Sequence, residues 1–113
     1  MKRKGDWLQL PHVRELWRST SACQCCGSSE WSLIPHHRHP KSRARSYKGR
    51  SVHELANLVL VCPECHGRFH ARCGEPTPKN VTAVRANIEC LQRRWPGNNW
   101  WKMAPVWALK GAQ

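Results

Sequence analysis

Two pairs of cysteines stand at the spacing that metal sites use. Cys23 and Cys26 form one C-x-x-C pair, and Cys62 and Cys65 form the other. Two intervening residues let a tight turn aim both sulfurs at one point, and four thiolates complete the tetrahedral shell of a zinc ion. Unpaired thiols buried as small apolar groups are the weaker alternative. The spacing therefore predicts a structural zinc on four cysteines, with Cys25 as a substitute for Cys23 or Cys26.

Four histidines have the spacing of a second metal site. His36 and His37 are adjacent at the end of a predicted strand, and His66 and His70 lie four residues apart on one face of a predicted helix. Side chains alternate between the faces of a strand, so adjacent histidines do not readily bind one ion together. We therefore expect one of His36 and His37 to join the helix pair at a metal, while the other faces water and a phosphate. The alternative for each is a solvated surface position.

The elements that position these residues follow from turn signals and apolar spacing. Pro35 makes the first strand either an edge strand or an irregular one. Thr77 and Pro78 suit the cap and first position of a helix whose apolar residues recur at intervals of three and four. The predicted elements are a short helix that begins at Pro11 and ends by Ser19, strands at 31–37 and 58–61, and helices at 64–71 and 78–95.

The ordered motifs resemble those of the HNH endonuclease family, also called His-Me finger or ββα-metal nucleases. The resemblance rests on HHRHPKS at 36–42 and NLVLVCPECHGRFH at 57–70, with the Cys23–Cys26 knuckle upstream, and covers roughly residues 20–72. It implies a small α+β fold, in which a ββα-metal core carries a four-cysteine zinc site and flanking helices. We expect a single domain over 1–113.

The resemblance also implies a role for each residue of the second site. His36 would bind a divalent metal together with His66 and His70, and His37 would be the general base that activates water. Asn57 would pin the loop between the strands and so orient the base. Imidazole ligands suit several catalytic ions, and Mg²⁺, Mn²⁺, Ni²⁺ and Zn²⁺ all remain open.

Three other histidines need separate interpretations. His39 lies two residues beyond His37 on the same strand parity, so it competes for the role of base or substrate contact. His12 and His53 belong to no motif, and a solvated surface position is the preferred interpretation for both.

The charge of the chain favours a polyanionic partner. The formal net charge is +12, from 19 Lys and Arg against 7 Asp and Glu, and such an excess favours DNA. Residues 38–50 contain no acidic residue and no hydrophobic period, which predicts a loop. We expect this loop to bind the DNA backbone, and a solvated charged loop is the alternative. The predicted phosphate contacts are Arg38, Lys41, Arg43, Arg45, Lys48 and Arg50.

The tryptophans and the general composition complete the prediction. Trp17, Trp31 and Trp95 are predicted to be core residues, whereas the three tryptophans in residues 96–113 either bind a protein partner or wrap over the core. The compact form resembles phage- or prophage-encoded HNH proteins, which often work beside DNA-packaging machinery, so the resemblance implies a packaging or other protein partner if the tail binds one. Neither a signal peptide nor a membrane span is apparent, so we expect a cytoplasmic protein with reduced thiols.

These observations predict a metal-dependent endonuclease that hydrolyses DNA phosphodiester bonds, with a histidine base and one divalent ion. The first rival is a non-catalytic zinc-ribbon-like module that binds nucleic acid, which needs the cysteines and the basic loop but not the histidines. The second is an adaptor that presents its Trp-rich tail to a protein. A nuclease uses all of these features together.

Overall fold

The computed structural model describes residues 6–47 and 50–109 of the chain, without the side chains of Arg45 and Ser46. Within these ranges, four helices and two strands surround one core. The elements are α1 (Pro11–Ser19), β1 (Ile34–His37), β2 (Leu58–Val61), α2 (Pro63–Cys73), α3 (Val81–Arg94) and α4 (Val106–Leu109), and short 3₁₀ turns precede α1, β2 and α3. None of the helices in this part of the chain is long and apolar enough to cross a membrane.

The two strands form an antiparallel hairpin in which His36 pairs with Val59. All four residues of β2 are buried, so this strand lies in the core, while Pro35 occupies an edge strand as predicted. The first strand starts at Ile34 rather than at residue 31. Because β2 has only four residues, only four residues of β1 find partners there.

Helix α2 follows β2 after a single residue, which brings both metal-ligand motifs together. Cys62 caps the helix with its sulfur, which accepts a hydrogen bond from the backbone N–H of Cys65, and Pro63 fills the first position. The helix ends at Gly74, whose positive φ of 58° suits glycine. Helix α3 packs against α2 and buries Val84, Ile88 and Leu91, the face that the sequence spacing predicted.

The tryptophans divide differently from the prediction. Trp17 and Trp31 are 38% and 55% exposed, so their assignment to the core was wrong. Trp100 is fully buried, and Trp101 and Trp107 pack against the core. A chain of this length has few aliphatic residues to bury, and the C-terminal tryptophans supply the missing volume. Of the two alternatives for the tail, the structure supports a wrap over the core.

Candidate active site and metal centres

The four cysteines of the two C-x-x-C pairs converge on one point. Their sulfur atoms all lie within 4.8 Å of one another, and the sulfurs of Cys26 and Cys62 are 4.0 Å apart. A tetrahedral zinc ion with bonds of about 2.3 Å requires sulfurs about 3.8 Å apart, so this spacing fits such an ion. Cys25 is buried beside the cluster but does not belong to it.

The environment of these thiols favours a bound cation. Burial raises the pKa of Cys23, but backbone N–H groups of Cys26, Cys62 and Cys25 outweigh it and lower the value to about 7. Burial raises the pKa of Cys26 to about 12, and a hydrogen bond with Cys25, followed by burial, raises that of Cys65. Four adjacent thiolates are unfavourable without a positive charge between them, and a divalent ion supplies that charge.

Three histidines form a second cluster. One ring nitrogen from each of His36, His66 and His70 lies within 4.8 Å of the others. The two helix rings are 4.5 Å apart between centroids and meet edge to face, and His36 reaches them from β1. Cys62 and Cys65 of the cysteine cluster thus lie at the start of α2, and the same helix carries His66, directly after Cys65, and His70.

Hydrogen bonds to backbone carbonyls fix the tautomers of two of these histidines. The Nε2–H of His36 donates to the carbonyl oxygen of Met103 at 2.8 Å, and the Nδ1–H of His70 donates to that of Gly74 at 2.9 Å. The lone pairs therefore lie on His36 Nδ1 and His70 Nε2, an arrangement common among metal-bound histidines. Burial and the neighbouring histidines lower the pKa of His36 to about 3, which keeps the ring neutral, as a ligand must be.

His37 and the histidine cluster line one cavity, although the side chains of His36 and His37 lie on opposite faces of β1. The cavity has a volume of about 200 Å³ and is lined by all three clustered histidines together with His37, Lys41 and Glu75. Burial, followed by the neighbouring His53 and Lys41, lowers the pKa of His37 from 6.5 to about 4. His37 therefore lies close to the histidine cluster. Its ring is neutral, and a neutral ring can accept a proton, as a general base must.

Asn57 fastens the segment that follows His37. Its side-chain oxygen accepts a hydrogen bond from the N–H of His39 at 2.6 Å, and its side-chain nitrogen donates to the carbonyls of His39 and Val52 at 3.0 and 2.8 Å. The residue is almost fully buried. These contacts tie together the two ends of the loop between the strands, and the part that the resemblance implied for Asn57 in orienting the base stays a prediction.

His39 has contacts that exclude it from the role of base. It is buried, its Nε2 bonds to the carbonyl of Arg43 at 2.8 Å, and its Nδ1 accepts the indole N–H of Trp107 at 3.1 Å. Both ring nitrogens are therefore used inside the fold. The predicted competition with His37 is not supported.

The segment that contains these sites matches a known family. Residues 23–72 match the family model described as HNH endonuclease. This segment is an HNH domain. The match includes both clusters, His37 and Asn57, while residues 1–22 and 73–113 lie outside it. No significant match was found among curated proteins or among solved structures.

The cations of the basic loop differ in exposure and in their contacts. Lys41, Arg43 and Arg50 are exposed, and Nζ of Lys41 lies 5.6 Å from the centroid of the Trp7 ring. Arg38 is half-buried, and its Nε–H donates to the carbonyl of Ala104 at 2.6 Å, whereas Arg50 forms an ion pair with Glu54. The guanidinium of Arg38 is therefore held against the C-terminal segment, and Arg50 is exposed although it is paired, so the phosphate-binding role of both residues stays a prediction. The side chain of Arg45 and the whole of Lys48 lie outside the described residues.

Sequence reasoning missed two residues beside His37. His53, interpreted as solvated, is half-buried, and its Nδ1 lies 3.0 Å from His37 Nε2. Trp7 stacks on His53 with ring planes 3° apart. The only signal in the sequence was the presence of an unassigned histidine in the loop, since Trp7 is 30 residues before His37 and in no motif.

Proposed function

We propose that this protein is a metal-dependent endonuclease that hydrolyses phosphodiester bonds in DNA. The observation that carries the proposal is the shared cavity, in which neutral His37 lies beside a three-histidine cluster. Base and metal ligands at one cavity are what water-mediated cleavage of a phosphodiester requires. The match to the HNH endonuclease model supports the same reaction class.

Two metal sites have different uses in this proposal. The cysteine cluster would hold a structural zinc ion, whose binding energy contributes directly to folding. The histidine cluster would hold one divalent ion, which, when bound, stabilises negative charge on the phosphate and on the departing oxygen. His36, His66 and His70 would be its protein ligands.

His37 performs the proton transfer. Its neutral ring takes a proton from a water molecule while the water oxygen attacks phosphorus, and the bond from phosphorus to the leaving oxygen breaks. The low pKa of the ring is opposed by the phosphate anion of bound DNA, because a nearby negative charge stabilises imidazolium. Bound substrate thus brings the base closer to the pKa range that general bases use.

The exposed cations of the loop would hold the DNA backbone. Lys41 lines the cavity, and Arg43 is exposed two residues along the chain. Such contacts release counterions without reading the base sequence. Arg45 and Lys48 remain in the proposal on their charge alone. We do not extend it to a protein partner at the tail, because Trp100 is buried and Trp101 and Trp107 pack against the core.

The non-catalytic module that binds nucleic acid is the second candidate. It accounts for the cysteine cluster and the positive charge, but it gives no use to a cluster of three histidines in which backbone carbonyls fix the tautomers of two. A cleavage assay separates the two candidates, because only the nuclease converts supercoiled plasmid into the relaxed or linear form when a divalent ion is added to chelator-treated protein.

Two variants assign the roles within that assay. His37→Ala should remain folded, bind metal and DNA, and cleave roughly 10²–10⁴ times more slowly, the usual contribution of a general base. His36→Ala should instead lose affinity for the catalytic ion, so that excess metal restores part of its rate. If wild-type protein binds DNA but does not cleave it with Mg²⁺, Mn²⁺, Ni²⁺ or Zn²⁺, the proposal of a nuclease is rejected in favour of the non-catalytic module.

A further inference from the structure

We propose that His53 is a positioning residue for the general base, held in place by Trp7. This inference rests on the proposed nuclease function, and it adds a second histidine to the reaction. His53 lies in the loop before β2 and outside both metal clusters.

The contact between the two histidines is direct. Nε2 of His37 and Nδ1 of His53 are 3.0 Å apart, a normal hydrogen-bond distance. The ring planes are 70° apart, so the bond joins the edges of the rings. A hydrogen bond at one nitrogen of an imidazole fixes where its proton resides and how the ring is turned.

Two contacts from the N-terminal segment hold His53 in this position, and a third is made to His37. Trp7 stacks on its ring at a centroid distance of 4.9 Å and meets the ring of His37 edge to face at 4.6 Å. The Nε2–H of His12 donates to the backbone carbonyl of His53 at 2.7 Å. Trp7 and His12 lie before residue 23, where the family match begins, so this support comes from outside the matched segment.

The chemistry of the pair follows from one shared proton. When the Nε2–H of His37 donates to the lone pair on Nδ1 of His53, the lone pair of the His37 ring lies on its own Nδ1. That atom then takes the proton from water, while the Nε2–H bond persists and becomes charge-assisted. His53 accepts a hydrogen bond throughout and gains no proton. It acts on His37 as a triad carboxylate acts on its histidine, by holding tautomer and orientation.

The experiment replaces His53 in the full-length, metal-loaded protein. His53→Phe keeps a ring for Trp7 to stack on but removes the acceptor, and we expect cleavage to fall by roughly 10–10²-fold, the cost of a misplaced catalytic group. The melting temperature and the affinities for metal and DNA should not change. His53→Asn keeps an acceptor at the position of Nδ1 and should cleave within a few-fold of the wild-type rate. Leu55→Phe adds the same ring at an exposed position nearby and is the control.

A double-mutant cycle tests whether His53 acts through His37. In the His37→Ala background, His53→Phe should cause no further loss, because groups that act as a unit are not additive. Equal losses in both backgrounds would overturn the inference, since His53 would then act independently. So would a wild-type rate for His53→Phe. If His53→Phe is less stable than the wild type, His53→Gln provides the test instead. This variant moves the acceptor from the position of Nδ1 toward that of Nε2, so it should lose the activity that His53→Asn keeps. Equal cleavage rates for His53→Gln and His53→Asn would reject the proposal.

The failure of this inference differs from the failure of the proposed function. An inactive wild-type protein, or full activity in His37→Ala, would reject the proposed mechanism itself. An active wild type with an impaired His37→Ala and a fully active His53→Phe would reject only the role of His53.

Discussion

His36 is bonded to Met103 across 67 residues of sequence, through the 2.8 Å hydrogen bond from its Nε2–H to the backbone carbonyl. The acceptor that fixes the tautomer of a proposed metal ligand therefore comes from the C-terminal segment. The next carbonyl, that of Ala104, accepts from Arg38. Residues 73–113 lie outside the family match, yet this part of the chain contributes to the geometry of the site.

The first prediction concerns that C-terminal segment. Trp100→Ala removes a fully buried ring and should lower the free energy of unfolding by about 3–5 kcal/mol. Because Met103 follows on the same turn, affinity for the ion at His36 should fall as well. Urea unfolding and metal titration measure the two effects. Trp31→Ala, at a position that is 55% exposed, is the control and should change neither quantity.

The second prediction concerns the cysteine cluster. Cys62→Ser or Cys65→Ser should leave the domain unfolded or molten, because the ion they bind supplies folding energy. Cys90→Ser, at a half-buried position outside the cluster, should fold normally. Circular dichroism and zinc content measured on the same samples provide the comparison. A native melting profile with full zinc content in either cluster variant would contradict the four-cysteine assignment.

The third prediction concerns pH. His37 has a pKa of about 4, and it works as a base only when neutral, so activity should be lost as the pH falls through that value and not near 6.5. An unperturbed histidine would lose about tenfold in rate between pH 7.5 and pH 5.5. We expect kcat/KM at saturating metal, which reports the protonation of the protein before DNA binds, to change far less over this range. Zinc content must be followed in parallel, because acid releases thiolate-bound ions. An acid limb centred at 6.5 would show that His37 behaves as a solvated histidine.

The fourth prediction concerns the basic loop. Lys41→Gln and Arg43→Gln should weaken binding to every duplex sequence and lower the slope of log K against log salt by about 0.9 for each lost phosphate contact. Arg50→Gln should lower the slope less than either of these, because its guanidinium forms an ion pair with Glu54 that a phosphate contact would have to replace. Fluorescence anisotropy across salt concentrations measures the slopes. Equal slopes for wild type and all three variants would mean that the loop cations are merely solvated.

The local motifs were readable from the sequence because their information is local. A C-x-x-C pair already places two sulfurs on one turn, and His66 and His70 share a helix face by periodicity alone. The apolar run Leu58–Val61, between Asn57 and Cys62, predicted the first and last residues of the second strand correctly. The relation between His36 and His37 also followed from the sequence, since the alternation of a strand separates neighbouring side chains.

The contacts between distant segments were decided only by the tertiary structure. Trp7 and His53 are far apart along the chain and carry no shared pattern, so nothing local indicates that they stack. The partners of Arg38 are carbonyls of the C-terminal segment, and any residue type offers a carbonyl. Composition indicated how much apolar surface the tryptophans supply, but which of them become buried depends on where the chain returns to the core. Trp100 is buried in the core and Trp31 is exposed, because burial depends on packing between distant segments and not on residue type alone.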